Sequence, residues 1–301
     1  MSVVCLVLIH GCGSTDDSHW IDSGMDSGAS DATETSLGDD AEDGALDVED
    51  DGIGDGMVDS DDAQDCGTSG ACEDGQVGTD GDPDGDGVEP CPMDMVLVEA
   101  VCIDRYEAPN REGAKPLVMF NFEESESWCQ ARGKRLCFDD EWTRACGGED
   151  GLAYPYGEEH VPGVCTDDKL WKAYNQTLLN GWPWSMSNLD AVEDLEELFD
   201  VVAALGTGAA AAASHVKQLY QADPSGLRDG CTTGDGTYDL TGNVEEWTRR
   251  RDGGTANFHG NLKGRFWADS RTCQQSLTTH GDQFRFYEIG FRCCRDALVL
   301  D

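Results

Sequence analysis

Residues 1–90 of this 301-residue chain contain no lysine or arginine, yet they hold 26 of its 61 Asp and Glu residues. All 20 basic residues follow position 90, so much of the formal net charge of −41 is concentrated in one stretch. Aromatics are also nearly missing there, Trp20 being the single example. A segment of Asp, Gly, Ser and Ala cannot bury enough apolar surface to offset the entropy of ordering it. Residues 13–90 are therefore expected to form a disordered, self-repelling linker. The same charge argues against nucleic acid as a partner.

No apolar run is long enough to cross a bilayer. The longest, Val3–Ile9, has the length of a signal-peptide core. It leads into Ile9-His10-Gly11-Cys12, which resembles a bacterial lipobox. The expectation is a signal peptide over 1–12, acylation at Cys12 and attachment to a membrane through that lipid, with the chain extracytoplasmic: a lipoprotein of the outer membrane or cell surface, or secreted. Two departures stand against this. No basic residue precedes the apolar run, and His10 sits beside the cleavage position. The alternative is a truncated or buried hydrophobic N-terminus.

No Cys-x2-Cys pair exists, and the six histidines (His10, His19, His160, His215, His259, His280) show no short ligand spacing. A zinc–thiolate site is not expected. Fourteen cysteines are present. Beyond Cys5 and Cys12, two fall in the linker and ten run from Cys91 to Cys294, even numbers that suit disulfides in an oxidising compartment. Cys66–Cys72, Cys91–Cys102 and Cys165–Cys231 are the preferred pairs, each closed by a loop or hairpin. The remaining connectivity stays open.

Three blocks carry the identity of residues 91–301. The first pairs Met95-Val-Leu-Val98 with Cys102-Ile-Asp-Arg-Tyr-Glu-Ala-Pro-Asn110. The second is Trp128-Cys-Gln-Ala-Arg-Gly-Lys-Arg-Leu-Cys137, followed by Glu141-Trp142 and Tyr154-Pro-Tyr-Gly157. The third is Thr237-Tyr-Asp-Leu-Thr-Gly-Asn-Val-Glu-Glu-Trp247, followed by Gly290-Phe-Arg-Cys-Cys294. In the last, Tyr238 and Leu240 alternate like a half-buried strand, Gly242-Asn243 forces a turn and Trp247 is a buried anchor. Together they resemble the formylglycine-generating-enzyme, or sulfatase-modifying-factor, family.

The resemblance implies an α+β, C-type lectin-like fold with few long elements. Asn121 and Glu124 read as a capping box opening a helix to Arg132, stopped by Gly133. A second helix is expected over Asp140–Cys146, with Asp139 replacing the family's hydroxyl N-cap. Residues 188–221 stand outside the family pattern. Leu189, Val192, Leu195, Leu198, Phe199 and Val202 recur at helical spacing before Gly206-Thr-Gly208 and an alanine run, so an inserted helical hairpin is expected, as surface decoration or as a partner-binding or lid element.

Family members hold copper through two cysteines just after a Gly-Gly-Ser turn, and thiolate pairs suit Cu(I). Here the corresponding stretch is Lys263-Gly-Arg-Phe-Trp267 and only Cys273 follows closely, a weak catalytic candidate, so copper is not expected. Cys293 and Cys294 come after the last motif and read as structural. The iron-binding histidine domain of the related sulfoxide synthases is absent. Calcium is the metal the resemblance favours, through Asn243, the Val244 carbonyl and Glu246; alternatively Asn243 only supports the turn and Glu246 pairs with an arginine such as Arg292. Asp80, Asp82 and Asp84 match the first ligand positions of a calcium loop, but Cys91 stands where its glutamate belongs, leaving weak cation binding. The expected function is a non-catalytic binding or structural module with a protein or glycan partner. A formylglycine-generating oxidoreductase and a calcium-dependent glycan-binding module remain the alternatives.

Overall fold

The computed structural model describes residues 90–298. Cys12, the Cys66–Cys72 pair and the Asp80–Asp86 loop lie outside the described residues. Strands β1 (Met95–Val98) and β2 (Val101–Asp104) form the expected hairpin, with Met95 opposite Asp104. Helix α1 (Phe122–Ala131) begins with a complete capping box: Glu124 N–H donates to Asn121 Oδ1 and Asn121 N–H donates to the Glu124 carboxylate. Gly133, at φ 68°, adopts the left-handed conformation just beyond its end.

After β3 (Arg135–Leu136), helix α2 (Asp139–Gly147) departs from expectation at its cap. Phe138, not Asp139, holds the N-cap position, and its N–H is taken by Glu141 Oε2 at 2.9 Å. The Asp139 carboxylate is drawn sideways: Oδ1 accepts from Arg251 N–H (2.9 Å) and Oδ2 from Asn261 Nδ2 (2.7 Å). It ties the helix to the rest of the domain, while Oδ1 also accepts from Asp140 N–H (3.0 Å) in the first turn.

The 188–221 stretch is helical as expected. A single 3-10 turn (Leu189–Ala191) precedes α4 (Leu195–Ala203) and α5 (Thr207–Leu219), after the short α3 (Gln176–Leu179). The hairpin is not pendant. Leu195, Leu198, Phe199 and Val202 of α4 and Ala209, Ala212, Ala213, Val216 and Leu219 of α5 enter the same core cluster as Trp128 and Trp247. Trp128 Nε1 donates to Val192 O at 2.9 Å, and Arg132 lies 3.5 Å over the Trp128 ring while donating to Asp190 O.

The remaining strands are β4 (Glu245–Arg249), β5 (Gly260–Lys263), β6 (Ile289–Phe291) and β7 (Cys293–Asp296). They complete a four-stranded antiparallel sheet in the order β1-β2-β7-β3 and a three-stranded sheet, β5-β4-β6, in which β4 and β6 run parallel. The strand expected at Tyr238–Leu240 is reduced to one bridge between Thr232 and Tyr238, because Asp239 takes φ 59° and turns the chain out of the extended region. Trp128, Trp142, Trp247 and Trp267 are fully buried. Each removes about 150–250 Å² from water, roughly 4–6 kcal/mol of gross apolar burial at ~25 cal/mol per Å². With helices this short, such anchors carry more of the fold than helix propensity does.

Candidate functional site

The Gly242-Asn243 turn and the Lys263–Trp267 turn are built against each other through the backbone. Gly242 N–H donates to Gly264 O (2.9 Å), Trp267 N–H to Asn243 O (3.0 Å) and Asn243 N–H to Thr166 O (2.7 Å). Both glycines have positive φ, 76° and 81°. A Cβ on Gly242 would fall 2.4 Å from Thr166 O, and one on Gly264 would fall 2.5 Å from Leu240 O, so neither site admits a side chain.

Asn243, itself at φ 53°, spends its amide on the turn. Oδ1 accepts from Asp223 N–H (2.9 Å) and Nδ2 donates to Glu107 Oε1 (2.8 Å). The Val244 side chain packs toward Gly290, where a Cβ would lie 2.9 Å from Val244 Cγ2. Glu246 faces Arg292: Arg292 Nη2 donates to Oε1 at 2.7 Å and Nε to Oε2 at 2.8 Å. Trp142 Nε1 donates to Glu246 Oε2 at 2.8 Å. The three residues expected around calcium are thus brought to one turn, with the Asn243 and Glu246 oxygens already engaged. Glu245 points to the opposite face, as strand alternation requires, and pairs with Arg271 at 2.8 Å.

Arg292 is the one buried cation in this centre, while Glu246, Glu107 and Asp239 are all buried carboxylates near it. Arg292 Nη2 also donates to Tyr238 O (2.9 Å) and Nη1 to Asp104 O (3.3 Å). Glu107 Oε2 accepts from Ser225 Oγ (2.9 Å), and Asp239 Oδ2 from Gly226 N–H (2.7 Å). Burial, then the Asp239 charge, raises the Glu107 carboxyl well above the ordinary range. Burial also raises Asp239.

The native state therefore keeps a proton on Glu107 that the unfolded chain sheds. Its contribution is fully present below the ordinary value of 4.5 and is lost as pH rises toward about 8. A glutamine at 107 carries no charge: its carbonyl can accept from Asn243 Nδ2 and its amide can donate to Ser225 Oγ, whose hydroxyl reverses its role. Glu107→Gln is expected to gain on the order of 3 kcal/mol over the wild type between pH 5 and pH 8, read by urea denaturation at both. Parallel pH profiles for the two proteins would show that Glu107 carries no such linkage.

All ten described cysteines are bonded, as Cys91–Cys102, Cys129–Cys293, Cys137–Cys294, Cys146–Cys273 and Cys165–Cys231. Cys273, the weak catalytic candidate, is held to Cys146 in α2 and its N–H donates to Ala153 O (2.8 Å). Copper chemistry of the kind the resemblance implies needs two free thiolates after the Lys263–Trp267 turn, and the donor set here does not fit it. Among the described residues no group of three His, Cys, Asp or Glu side chains converges on a metal position.

Sequence reasoning missed two parts of this site. Glu107 lies inside the first motif block, but its partners Asn243 and Ser225 come from more than a hundred residues away. Lys263 entered the sequence reading only as the first residue of the Lys263–Trp267 turn, yet it is buried and lines an open groove of about 800 Å³ with Asp139, Thr143 and Arg251.

A family model described as "Sulfatase-modifying factor enzyme 1-like domain" matches residues 76–297. Among solved structures, the chain is similar to CarF at 13% identity and a TM-score of 0.40, covering 69% of this chain and 95% of that one. It is similar to PvdO from Pseudomonas aeruginosa at 14% identity and a TM-score of 0.36, covering 65% and 80%. For the U1 variant of the Major Tropism Determinant the values are 14%, 0.38, 71% and 55%, so the chain spans about half of that protein's length.

Proposed function

The chain belongs to the sulfatase-modifying-factor family, and from that footing we propose that its domain is a binding or structural module that does not generate formylglycine. One observation carries the proposal. Cys273, the only cysteine close after the Lys263–Trp267 turn, is locked to Cys146. A disulfide sulfur offers no thiolate to Cu(I), and the next cysteine along the chain after Cys273 is Cys293, itself bonded to Cys129.

What remains suits recognition. Leu170, Trp171 and Trp184 are exposed large apolar side chains, at 88%, 42% and 65%. Trp171 is held in place by donating to Glu288 Oε1 at 2.7 Å, and Tyr174 packs edge-on against Phe286 with centroids 5.0 Å apart. Fixed aromatic side chains of this kind supply contact area at low entropy cost, for a protein or a glycan partner. We assign Asn243 and Glu246 to bracing the turn, because calcium there would have to displace Arg292 from a buried carboxylate. Five disulfides suit an oxidising, extracytoplasmic setting.

Incubated with Cu(I), oxygen and a peptide carrying a sulfatase-motif cysteine, the purified chain is expected to leave the peptide mass unchanged. Mass spectrometry reads the result. Catalytic conversion of the cysteine to the aldehyde would overturn the proposal in favour of the oxidoreductase alternative.

A further inference from the structure

Lys263 and Arg292 are the two buried cations among the described residues. Arg292 has Glu246, whereas Lys263 forms no salt bridge there. Its Nζ has one hydrogen-bond partner, Thr143 Oγ1 at 2.9 Å, and the Thr143 hydroxyl donates onward to Asp139 O at 2.7 Å. The Trp142 ring lies on another side, 5.2 Å from Nζ to its centroid. Two residues earlier on the same strand face, Asn261 Oδ1 is buried without a partner, its Nδ2 being committed to Asp139.

Above these groups is the groove of about 800 Å³, whose rim includes Arg144, Arg251, Asp252 and Gln274. The rim charges are largely spent on neighbouring groups. Arg251 bonds Asp140 and Glu141, and Arg144 bonds Glu99. Asp139, the nearest acid, is turned toward Asn261 and the Arg251 backbone. Lys263 is left as the unmatched charge.

A buried ammonium with no counter-ion is costly, and losing its proton removes that cost. Burial brings Lys263 down to about 8, with Asp139 pulling the other way. An amine so placed is nucleophilic near neutral pH.

We propose that Lys263 is a covalent docking site for a small polar aldehyde, held as an imine at the floor of this groove. The Nζ lone pair attacks the carbonyl carbon as the carbonyl π bond breaks, and a proton passes from nitrogen to oxygen, with the Thr143 hydroxyl beside Nζ to relay it. Asn261 Oδ1 offers an acceptor for the carbinolamine hydroxyl. Water then leaves into the open groove as the C=N bond forms. No redox partner is required.

The test uses glycolaldehyde as the probe, with cyanoborohydride to fix the imine as a secondary amine, followed by peptide mapping of the purified chain. Only six lysines are present, so the map is complete and the other five serve as controls. Lys134, Lys169 and Lys217 pair with carboxylates at close range, Lys115 pairs with Glu196 at 3.8 Å, and Lys172 donates to Gln218 O. At pH 7.5 Lys263 is expected to label on the order of tenfold faster than the mean of the others, since an amine lowered to about 8 is far more often neutral there than one at the usual ~10.4. The rate should rise with a midpoint near 8. Labelling of Lys263 no faster than Lys172, or only above about pH 10, would overturn the proposal. The outcome is independent of whether the domain makes formylglycine, because neither Cys273 nor copper takes part.

Discussion

Arg292→Met is expected to leave the domain unfolded or nearly so at 25 °C. The guanidinium is completely buried and donates to both oxygens of Glu246, to Tyr238 O and to Asp104 O. Methionine fills similar volume but leaves the Glu246 carboxylate inside the core with only the Trp142 indole as donor. Breaking a buried pair by removing one partner costs about 3–5 kcal/mol, and each orphaned carbonyl adds about 1–3. Total stability of a domain is about 5–15 kcal/mol. Arg292→Lys should be intermediate, since an ammonium keeps the charge but cannot fork across two oxygens and two carbonyls. The double variant Arg292→Met with Glu246→Met should recover at least half of the loss, because it removes the stranded charge as well. Urea denaturation of all three variants is the measurement. A single Met variant within about 0.5 kcal/mol of wild type would mean the pair contributes nothing.

Reduction is the second large perturbation. The five bonds close loops of 11, 66, 127, 157 and 164 residues. On the chain-entropy account one loop of about 100 residues is worth roughly 4.7 kcal/mol. Nested loops do not add, but even two independent closures of that size approach the whole stability of a domain. The reduced protein is expected to be unfolded at 25 °C, seen as a red shift of tryptophan emission as Trp128, Trp142, Trp247 and Trp267 meet water. Opening Cys91–Cys102 alone, by Ala at both positions, should cost far less, because it closes the shortest loop across a hairpin already paired by its backbone. Retention of the native emission with all ten thiols free would show that the aromatic core suffices without covalent help.

Local features were legible from the sequence. The Asn121–Glu124 box, the β1–β2 hairpin and the helices at 195–203 and 207–219 are written in short spacings, each decided within a few residues. The Cys91–Cys102 and Cys165–Cys231 bonds follow from loops that bring their ends together. Cys129–Cys293, Cys137–Cys294 and Cys146–Cys273 were not legible, because separations of 127 residues or more carry no local signal. Asp139 misled for a different reason: the helix begins at Asp139 itself with Phe138 as its N-cap, and donors from two distant segments share its oxygens with Asp140 N–H. Lys263 was hidden because it reads as the start of a turn, whereas it ends strand β5, all four of whose residues are buried. One face of β5 meets Trp247 and Phe122, and Thr143 and Asp139 of α2 reach the other.

Strand β7 lies inside its sheet, between β2 and β3, and its adjacent residues Cys293 and Cys294 staple to Cys129 and Cys137. A chain that leaves the ribosome or a translocation pore from its N-terminal end must therefore wait. The β1–β2 hairpin and α1 can form early, but the slot between β2 and β3 stays open, with its backbone hydrogen bonds unmade, until the 157 residues that separate Cys137 from Cys294 have emerged. Throughout that interval Cys129 and Cys137, eight positions apart, are each other's nearest oxidation partners and not their own. Vectorial synthesis thus leaves these thiols without their native partners through most of translation, and any bond formed between them in that interval has to be exchanged before β7 can be stapled, a step slower than helix or hairpin formation.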